Sequence, residues 1–214
     1  MSSQHPSASP VASREAFIEQ EYHAGRDLPA HYAGIPAVNA AEVVEFWRHA
    51  GPELWFAKDA DFDRRFREKF LDAHAAAARG EFDHWLMTAE GALALLVLLD
   101  QFPRNAFRGT PLMYATDAAA RRIATAAVDA GHDRAMPHDL RTFFYLPFAH
   151  SEDLADQDRA VQLCRDLAPR DVASSRRHRE IVKRFGRFPH RNAILDRKTT
   201  PEEQEFLDSG GYAG

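Results

Sequence analysis

The apolar run at residues 92–99 (Ala-Leu-Ala-Leu-Leu-Val-Leu-Leu) constrains the fold more than any other segment of the chain. It follows Thr88, a residue type that caps helix N-termini, and it is apolar on every side of a helix. Such a helix must be covered by other elements on all faces, so we expect it at the centre of the molecule. It is far shorter than the roughly 20 residues that a membrane-spanning helix needs.

A proline-centred motif lies at the end of this helix and occurs a second time near the C-terminus. The first copy is residues 99–105 (Leu-Asp-Gln-Phe-Pro-Arg-Asn), and the second is residues 187–192 (Arg-Phe-Pro-His-Arg-Asn). Proline has no backbone N–H, and it disfavours the α conformation in the residue before it. Each helix is therefore predicted to end at its phenylalanine, with an arginine–asparagine pair just beyond.

Two interpretations of the repeated motif stay open. In the first, both copies are structural helix ends, where an arginine donates hydrogen bonds to the last carbonyl groups of the helix. In the second, the two arginine–asparagine pairs converge on one anionic or polar ligand. The sequence does not choose between them, and it does not identify the ligand.

Helical patterns joined by short loops fill the chain from Asn39 onward. Asn39, Ser151 and Thr200 are predicted to cap helix N-termini, and phenylalanine recurs at every fourth residue from Phe62 to Phe70. Alternating apolar and polar runs flanked by hairpin turns are missing. We therefore predict an all-α fold of seven to nine helices in antiparallel pairs. An α–α superhelix and a compact irregular bundle both fit this pattern.

Composition and charge limit the organisation and the class of function. Residues 1–38 are rich in small polar residues and proline and are predicted to form a partly disordered leader, followed by a single domain at residues 39–214. A net charge of -5 argues against a general nucleic-acid-binding protein. The single cysteine, Cys164, lies on an apolar helical face, so we predict a buried, unreactive thiol. We predict neither a secretory signal nor a membrane span, and we expect a cytoplasmic protein.

Three stretches carry polar residues that helical periodicity does not explain, and each lies at a predicted helix end. Loops at helix ends hold polar groups on a rigid scaffold, and helices of alternating direction gather several ends on one side. The candidate ligand-binding residues in these stretches are Asp100, Gln101, Arg104, Asn105, Tyr145, His150, Ser151, Glu152, Arg187, His190, Arg191 and Asn192.

The residue types in these stretches favour anion binding combined with acid–base chemistry. The arginines of the repeated motif are suited to bidentate contacts with a carboxylate or a phosphate. His150 or His190 is suited to act as an acid or base near neutral pH, with Glu152 or Asp100 to orient it or to take a proton. The candidate catalytic residues are therefore His150, Glu152 and His190. Each of these residues also has an ordinary structural interpretation, as an ion-pair partner or a helix cap.

Patterns typical of metal and nucleotide sites are missing from the sequence. It contains no His-Glu-x-x-His or Cys-x-x-Cys spacing and no glycine-rich phosphate loop. His178 shares a helical face with Ile181 and Val182, so we predict a hydrogen-bonded core histidine. The sequence therefore predicts neither a metal ion nor a cofactor.

The sequence resembles a bacterial family of unknown function, the family numbered 924. The resemblance covers the chain from about residue 40 to its end, and the residues before Asn39 are not part of it. It implies an all-α, tetratricopeptide-like fold and no established activity, and the polar positions that recur in the family correspond to the candidate residues above other than Tyr145. The motifs that carry it are Val-Glu-Phe-Trp at 44–47, Trp-Phe at 55–56, the two Phe-Pro motifs, Phe-Tyr-Leu-Pro-Phe at 144–148 and His-Ser-Glu at 150–152.

Three functions fit these observations. The leading prediction is a pocket lined by arginine and histidine that binds a small anionic or polar molecule. The second is a tetratricopeptide-like adaptor whose concave surface binds a peptide or a partner protein. The third is a hydrolase-like enzyme with a histidine general base, for which the sequence identifies no nucleophile. A closed pocket that contains Arg104, His150 and Arg191 would favour the first, and a long open groove would favour the second. The oligomeric state is not predicted.

Overall fold

The computed structural model describes residues 38–212, which form α-helices, a π-helical segment and short 3-10 turns, with no β-strand in that range. The all-α prediction is therefore confirmed, whereas the tetratricopeptide-like superhelix and the single domain stay predictions. The predicted leader lies outside the described residues up to position 37. The α-helices are α1 (Ala40–Trp55), α2 (Ala60–Ala78), α3 (Ala89–Leu96), α4 (Phe102–Ala106), α5 (Asp117–Asp129), α6 (Thr142–Ala149), α7 (Leu154–Leu163), α8 (Pro169–Phe185) and α9 (Pro201–Asp208).

Side-chain caps set the starts of several helices. Asn39 accepts a hydrogen bond from the Glu42 N–H at the start of α1, and Thr200 forms a complete capping box at the start of α9, both as predicted. Ser151 does not cap α7, so that prediction is wrong. Asp153 is the cap because its carboxylate accepts from two backbone N–H groups of the first turn, and the Ser151 hydroxyl instead donates to Asp156.

The core surrounds α3, as the sequence predicts. Every residue of α3 from Gly91 onward is buried. Helix α3 packs against α1, α5 and α6, and α5, α6 and α7 each pack against the next helix in the chain. Phe46 of α1 stacks on Phe62 and Phe66 of α2, with ring centroids 5.7 and 5.3 Å apart. The apolar stripe of α2 therefore joins the core through aromatic contacts.

The helix that carries the first Phe-Pro motif does not end at Phe102, so the predicted helix end is wrong. A π-helical segment (Val97–Gln101) joins α3 to α4, and the Phe102 N–H bonds to the carbonyl of Val97, five residues back. Pro103 then lies in the first turn of α4, where a missing N–H is tolerated. The chain therefore stays helical past Pro103 because the wider π turn precedes it.

Two side chains satisfy the carbonyl groups that lose a helical donor at Pro103. The proline would have donated to Leu99 in an α turn and to Leu98 in a π turn. Instead, the Thr116 hydroxyl donates to the Leu99 oxygen at 2.6 Å, and the His74 Nδ1–H donates to the Leu98 oxygen at 2.8 Å. A carbonyl only accepts, so the proton of His74 is placed on Nδ1. Tertiary contacts therefore stabilise the π-helical segment.

In the second copy of the motif, the proline also begins an element. Helix α8 ends at Phe185, and Gly186 terminates it in the left-handed conformation with φ 70°. Phe188 is extended, and Pro189 opens a short 3-10 turn (Pro189–Arg191). The predicted helix end at Phe188 is thus wrong as well, because the glycine ends the helix three residues earlier.

Cys164 is buried at the end of α7, and burial raises the pKa of its thiol to about 11, in agreement with the predicted unreactive thiol. His178 is buried in α8 with the Ala149 carbonyl as a backbone acceptor near its ring, although neither ring nitrogen has a hydrogen-bond partner of good geometry. The predicted core position of this histidine is therefore confirmed, and its contact with Ala149 falls short of a well-formed hydrogen bond. Among the described residues, no helix has both the length and the apolar character to cross a membrane.

Candidate functional site

A cavity of about 230 Å³ lies where the two Phe-Pro motifs approach one another. The first motif contributes from the π-helical segment and α4, and the second from the 3-10 turn after α8. The end of α6 supplies His150 between them. The predicted candidate residues that line this cavity are Gln101, Arg104, Asn105, His150, His190 and Arg191.

The two arginines meet at Tyr114 and Asp117. The guanidinium carbons of Arg104 and Arg191 lie 5.9 and 4.5 Å from the centre of the Tyr114 ring. Arg104 Nη1 lies 2.9 Å from one carboxylate oxygen of Asp117, and Arg191 Nη1 lies 3.7 Å from the other. The convergence of the two motifs is therefore a feature of the structure.

Both arginines also bind backbone carbonyl groups, as the structural interpretation of the motif expects. Arg104 Nη1 donates to the Asp100 oxygen at 2.8 Å, and Arg191 Nη2 donates to the His150 oxygen at the end of α6 at 2.9 Å. These bonds do not use all of the N–H donors of the two guanidinium groups. Arg104 Nη2 and Arg191 Nε are buried without an acceptor. The two interpretations are thus not exclusive.

Asp100 is buried behind the cavity and orients His150. One oxygen of its carboxylate accepts from His150 Nδ1 at 2.9 Å, and the other accepts from Gln101 Nε2 at 2.6 Å. Burial raises the pKa of the Asp100 carboxyl, but Arg104 and His150 together hold it below its ordinary value. An ionised carboxylate only accepts, so His150 Nδ1 carries a proton and Nε2 presents its lone pair.

The imidazoles around the cavity are uncharged at neutral pH. Burial, followed by the positive charge of Arg104, lowers the pKa of His150 despite the opposing effect of Asp100. Burial, reinforced by nearby positive groups, lowers the pKa of His178 to about 3 and of His190 to about 4. His190 Nδ1 is buried without a hydrogen-bond partner.

The lining of the cavity is positively charged. It includes the four cations Lys58, Arg104, Arg108 and Arg191 and no aspartate or glutamate. The carboxylates that offset the arginines, among them Asp63 at 2.9 Å from Arg108 Nε, lie behind the lining. Burial, and then the charge of Arg104, lower the pKa of Arg191. An anion in the cavity would relieve this repulsion.

A second cavity of about 260 Å³ adjoins the first and shares five lining residues with it. Tyr145 lines this second cavity and not the first, and its hydroxyl donates to Asp133 at 2.7 Å. The residues common to both linings are Phe56, Leu146, His150, His178 and Tyr212.

Besides Asp100, four candidate residues line neither cavity, and they make structural contacts instead. The Ser151 hydroxyl donates to Asp156. Glu152 binds Arg197 at 2.7 Å and accepts the Phe188 N–H, which holds the second motif in place. Arg187 and Asn192 both bind Glu203, the capping-box residue of α9.

Sequence reasoning missed several residues of the site: Tyr114, Asp117, His178 and Tyr212. Asp117 reads as an ordinary acidic residue in the first turn of α5, and Tyr114 lies in a short 3-10 turn (Pro111–Tyr114). Their importance follows only from contact with the two arginines. Within residues 38–212, no group of three or more histidine, cysteine, aspartate or glutamate side chains is placed to hold a metal ion.

Comparison with known proteins places this geometry in a family. Residues 43–211 match the family model described as bacterial protein of unknown function (DUF924). A solved structure, that of protein of unknown function ATU0120 from Agrobacterium tumefaciens, is 58% identical in sequence with a TM-score of 0.79. That comparison covers 80% of this chain and 97% of the other. No protein of curated function matches the chain.

Proposed function

The chain belongs to the bacterial DUF924 family, and we propose that it binds a small organic anion, a carboxylate or a phosphate ester, between Arg104 and Arg191. The observation that carries this proposal is the convergence of a buried guanidinium group, that of Arg191, and a largely buried one, that of Arg104, on Tyr114 and Asp117, with Arg104 Nη2 and Arg191 Nε lacking acceptors. A buried donor without a partner costs about 1–3 kcal/mol. An oxyanion supplies the acceptors and the negative charge that the lining lacks.

The compact arrangement of these residues favours a small ligand over a peptide partner. Arg104, His150 and Arg191 share one cavity rather than lying along an extended groove. Of the two described cavities at this site, neither alone reaches the roughly 300 Å³ at which drug-sized ligand pockets begin. The adaptor function stays a prediction.

Isothermal titration calorimetry at low salt tests the proposal with inorganic phosphate, acetate and citrate as probes. We expect at least one probe to bind the wild type, and Arg191→Gln to weaken that binding by about tenfold or more, the equivalent of one charge-assisted hydrogen bond. Arg187→Gln is the matched control, because Arg187 belongs to the same motif but binds Glu203 away from the cavity. Binding that is absent, or equally strong in the Arg191→Gln variant, would rule out this site.

A second candidate function, hydrolysis with His150 as general base, is favoured by the Asp100–His150 pair. A neutral imidazole oriented by a buried carboxylate is suited to take a proton from water through Nε2. Ser151 and Glu152 line neither cavity and Cys164 is unreactive, so water is the nucleophile that this chemistry would use. Turnover of p-nitrophenyl phosphate or p-nitrophenyl acetate should fall about 100-fold or more in His150→Gln. The exposed His49→Gln should retain it, and no turnover by the wild type would exclude these two ester classes.

A further inference from the structure

Resting on the proposed anion site, we infer that the ligand is an elongated organic anion that lies across both cavities, with a hydroxyl or amide group near its middle and an uncharged far end. Its acidic group binds Arg104 and Arg191 in the first cavity. Its middle passes His150 and His178, and its far end occupies the second cavity.

The two cavities adjoin along one wall. Five residues line both cavities and form the boundary that an extended ligand would cross, called the passage below: Phe56, Leu146, His150, His178 and Tyr212. Each cavity is small, but together they reach the range of about 300–1000 Å³ that is usual for organic ligands. Phe56 is 52% exposed, which is unusual for an aromatic side chain that lines two cavities. It therefore offers an apolar face to a ligand that passes between them.

The passage has an unmet requirement for hydrogen bonds. His178 is 5% exposed, and neither ring nitrogen has a hydrogen-bond partner of good geometry, although the Ala149 carbonyl is within reach of the ring as an acceptor. A neutral imidazole has one donor and one acceptor, so with Ala149 accepting from its N–H the other ring nitrogen still needs a donor. His150 lines the same passage, and because Asp100 holds its Nδ1, Nε2 is the nitrogen left to contact a ligand. A hydroxyl or an amide supplies such a donor, whereas a plain hydrocarbon chain would leave the second nitrogen of His178 without one.

The second cavity is built for an uncharged group. Its lining beyond the passage includes Ala149, Cys164, Thr142 and Ser174, which carry no charge at neutral pH. Its one cation and one carboxylate, Arg170 and Asp171, lie 3.9 Å apart and offset each other. The excess positive charge of the site is therefore confined to the first cavity, and this difference fixes the orientation of the ligand.

Calorimetry with two matched ligand series tests the inference. The carboxylates are acetate, hexanoate and 4-hydroxyhexanoate, and the phosphates are methyl phosphate, butyl phosphate and 3-hydroxybutyl phosphate. In the series whose head group binds, the hydroxylated ligand should bind the wild type at least about tenfold more tightly than the shortest one, and about fivefold more tightly than the unsubstituted chain.

Two variants separate the contributions. Ser174→Leu fills the second cavity from an exposed position, so it should abolish the gain from chain length and leave binding of the shortest ligand unchanged; exposed Ala173→Leu, which lines neither cavity, is the control. His178→Phe should abolish the preference for the hydroxyl group, and His178→Asn, which keeps a donor and an acceptor, should retain part of it.

The outcomes distinguish this inference from the proposed function. Short anions that bind at Arg191 while longer or hydroxylated ligands gain nothing would overturn the inference and leave the anion site intact. A gain that survives Ser174→Leu would place the far end of the ligand elsewhere and would also overturn it. The absence of any anion binding would remove the proposed function and the inference together.

Discussion

Arg104 and Arg191 each precede the asparagine of their motif, but the charges around them differ. Arg104 lies between two carboxylates, 3.0 Å from Asp100 and 2.9 Å from Asp117. Arg191 has one carboxylate, Asp117, at 3.7 Å and stacks on Tyr114 and Phe188. Arg104 therefore stabilises the free protein. The positive charge of Arg191 adds little to stability until an anion binds beside it.

This difference predicts unequal losses of stability. Arg104→Gln should lower the free energy of unfolding by about 3–5 kcal/mol, because it leaves the buried Asp100 carboxylate without its cation. Arg191→Gln should change it by no more than about 1 kcal/mol, because the lost hydrogen bond to His150 is offset by relief of repulsion from Arg104. Urea denaturation measures both. Equal losses in the two variants would contradict the assigned roles.

The candidate residues show what the sequence can and cannot predict at this scale. The repeated motif identifies Arg104 and Arg191, because polar residues that break helical periodicity are visible in the sequence. The motif also selects Arg187, which binds Glu203 because the capping box of α9 places that carboxylate nearby. Only the packing of α9 against the second motif distinguishes the structural Arg187 from Arg191, which lines the cavity. No local sequence pattern encodes that packing.

At the scale of the helix, the π-helical segment is the element that positions Asp100 and Gln101. It remains helical because side chains from other elements donate the hydrogen bonds that the proline nitrogen cannot donate. Thr116 is the clearest case, since its hydroxyl donates to the Leu99 carbonyl and the residue is 5% exposed.

Removing the Thr116 hydroxyl should destabilise the protein. Thr116→Val leaves the buried Leu99 carbonyl without a donor, and we expect a loss of about 1–3 kcal/mol in the free energy of unfolding. Thr125→Val is the matched control. The Thr125 hydroxyl donates to the Arg121 carbonyl within α5 on the exposed surface, so its loss should cost under about 0.5 kcal/mol. Chemical denaturation that gives the two variants the same stability would contradict this account of the π segment.

The Phe-Pro motifs show why the helix ends predicted there are wrong, whereas most of the predicted helix starts are confirmed. Caps such as Asn39 and Thr200 act within four residues, so their effect is readable from the sequence. The cost of continuing past Pro103 depends on His74 and Thr116, which are distant in the chain. The rule that proline ends a helix describes an isolated segment, and tertiary hydrogen bonds overrule it here.

At the scale of the whole molecule, burying neutral histidines makes stability depend on pH. Burial lowers the pKa of His74 to about 4, and the pKa values of His178 and His190 are also lowered. Above pH 6.5, the ordinary histidine value, both the folded and the unfolded chain hold these groups uncharged. Below it, the unfolded chain takes up protons that the folded chain does not, so stability falls as the pH decreases.

The free energy of unfolding should therefore decrease from pH 6.5 toward pH 4. His74, which is 2% exposed, should contribute a slope of about 1.4 kcal/mol per pH unit within that window. His74→Gln should flatten the profile by that amount, although it lowers the stability at pH 7, and exposed His84→Gln should leave the slope unchanged. Urea melts at pH 7, 6 and 5 give the profile, and a slope unaltered by His74→Gln would show that His74 does not titrate on unfolding.

A crystal of the wild-type protein soaked in selenate, a tetrahedral oxyanion with the geometry of phosphate, tests the anion site most directly. The anomalous signal of selenium locates the ion without assumptions about its contacts. We predict a peak in the cavity with selenate oxygens about 2.7–3.2 Å from guanidinium nitrogens of both Arg104 and Arg191. The peak should be lost in crystals of Arg191→Gln and kept in those of Arg187→Gln. Peaks confined to surface cations, with this cavity empty, would contradict the convergence of the two motifs on an anion.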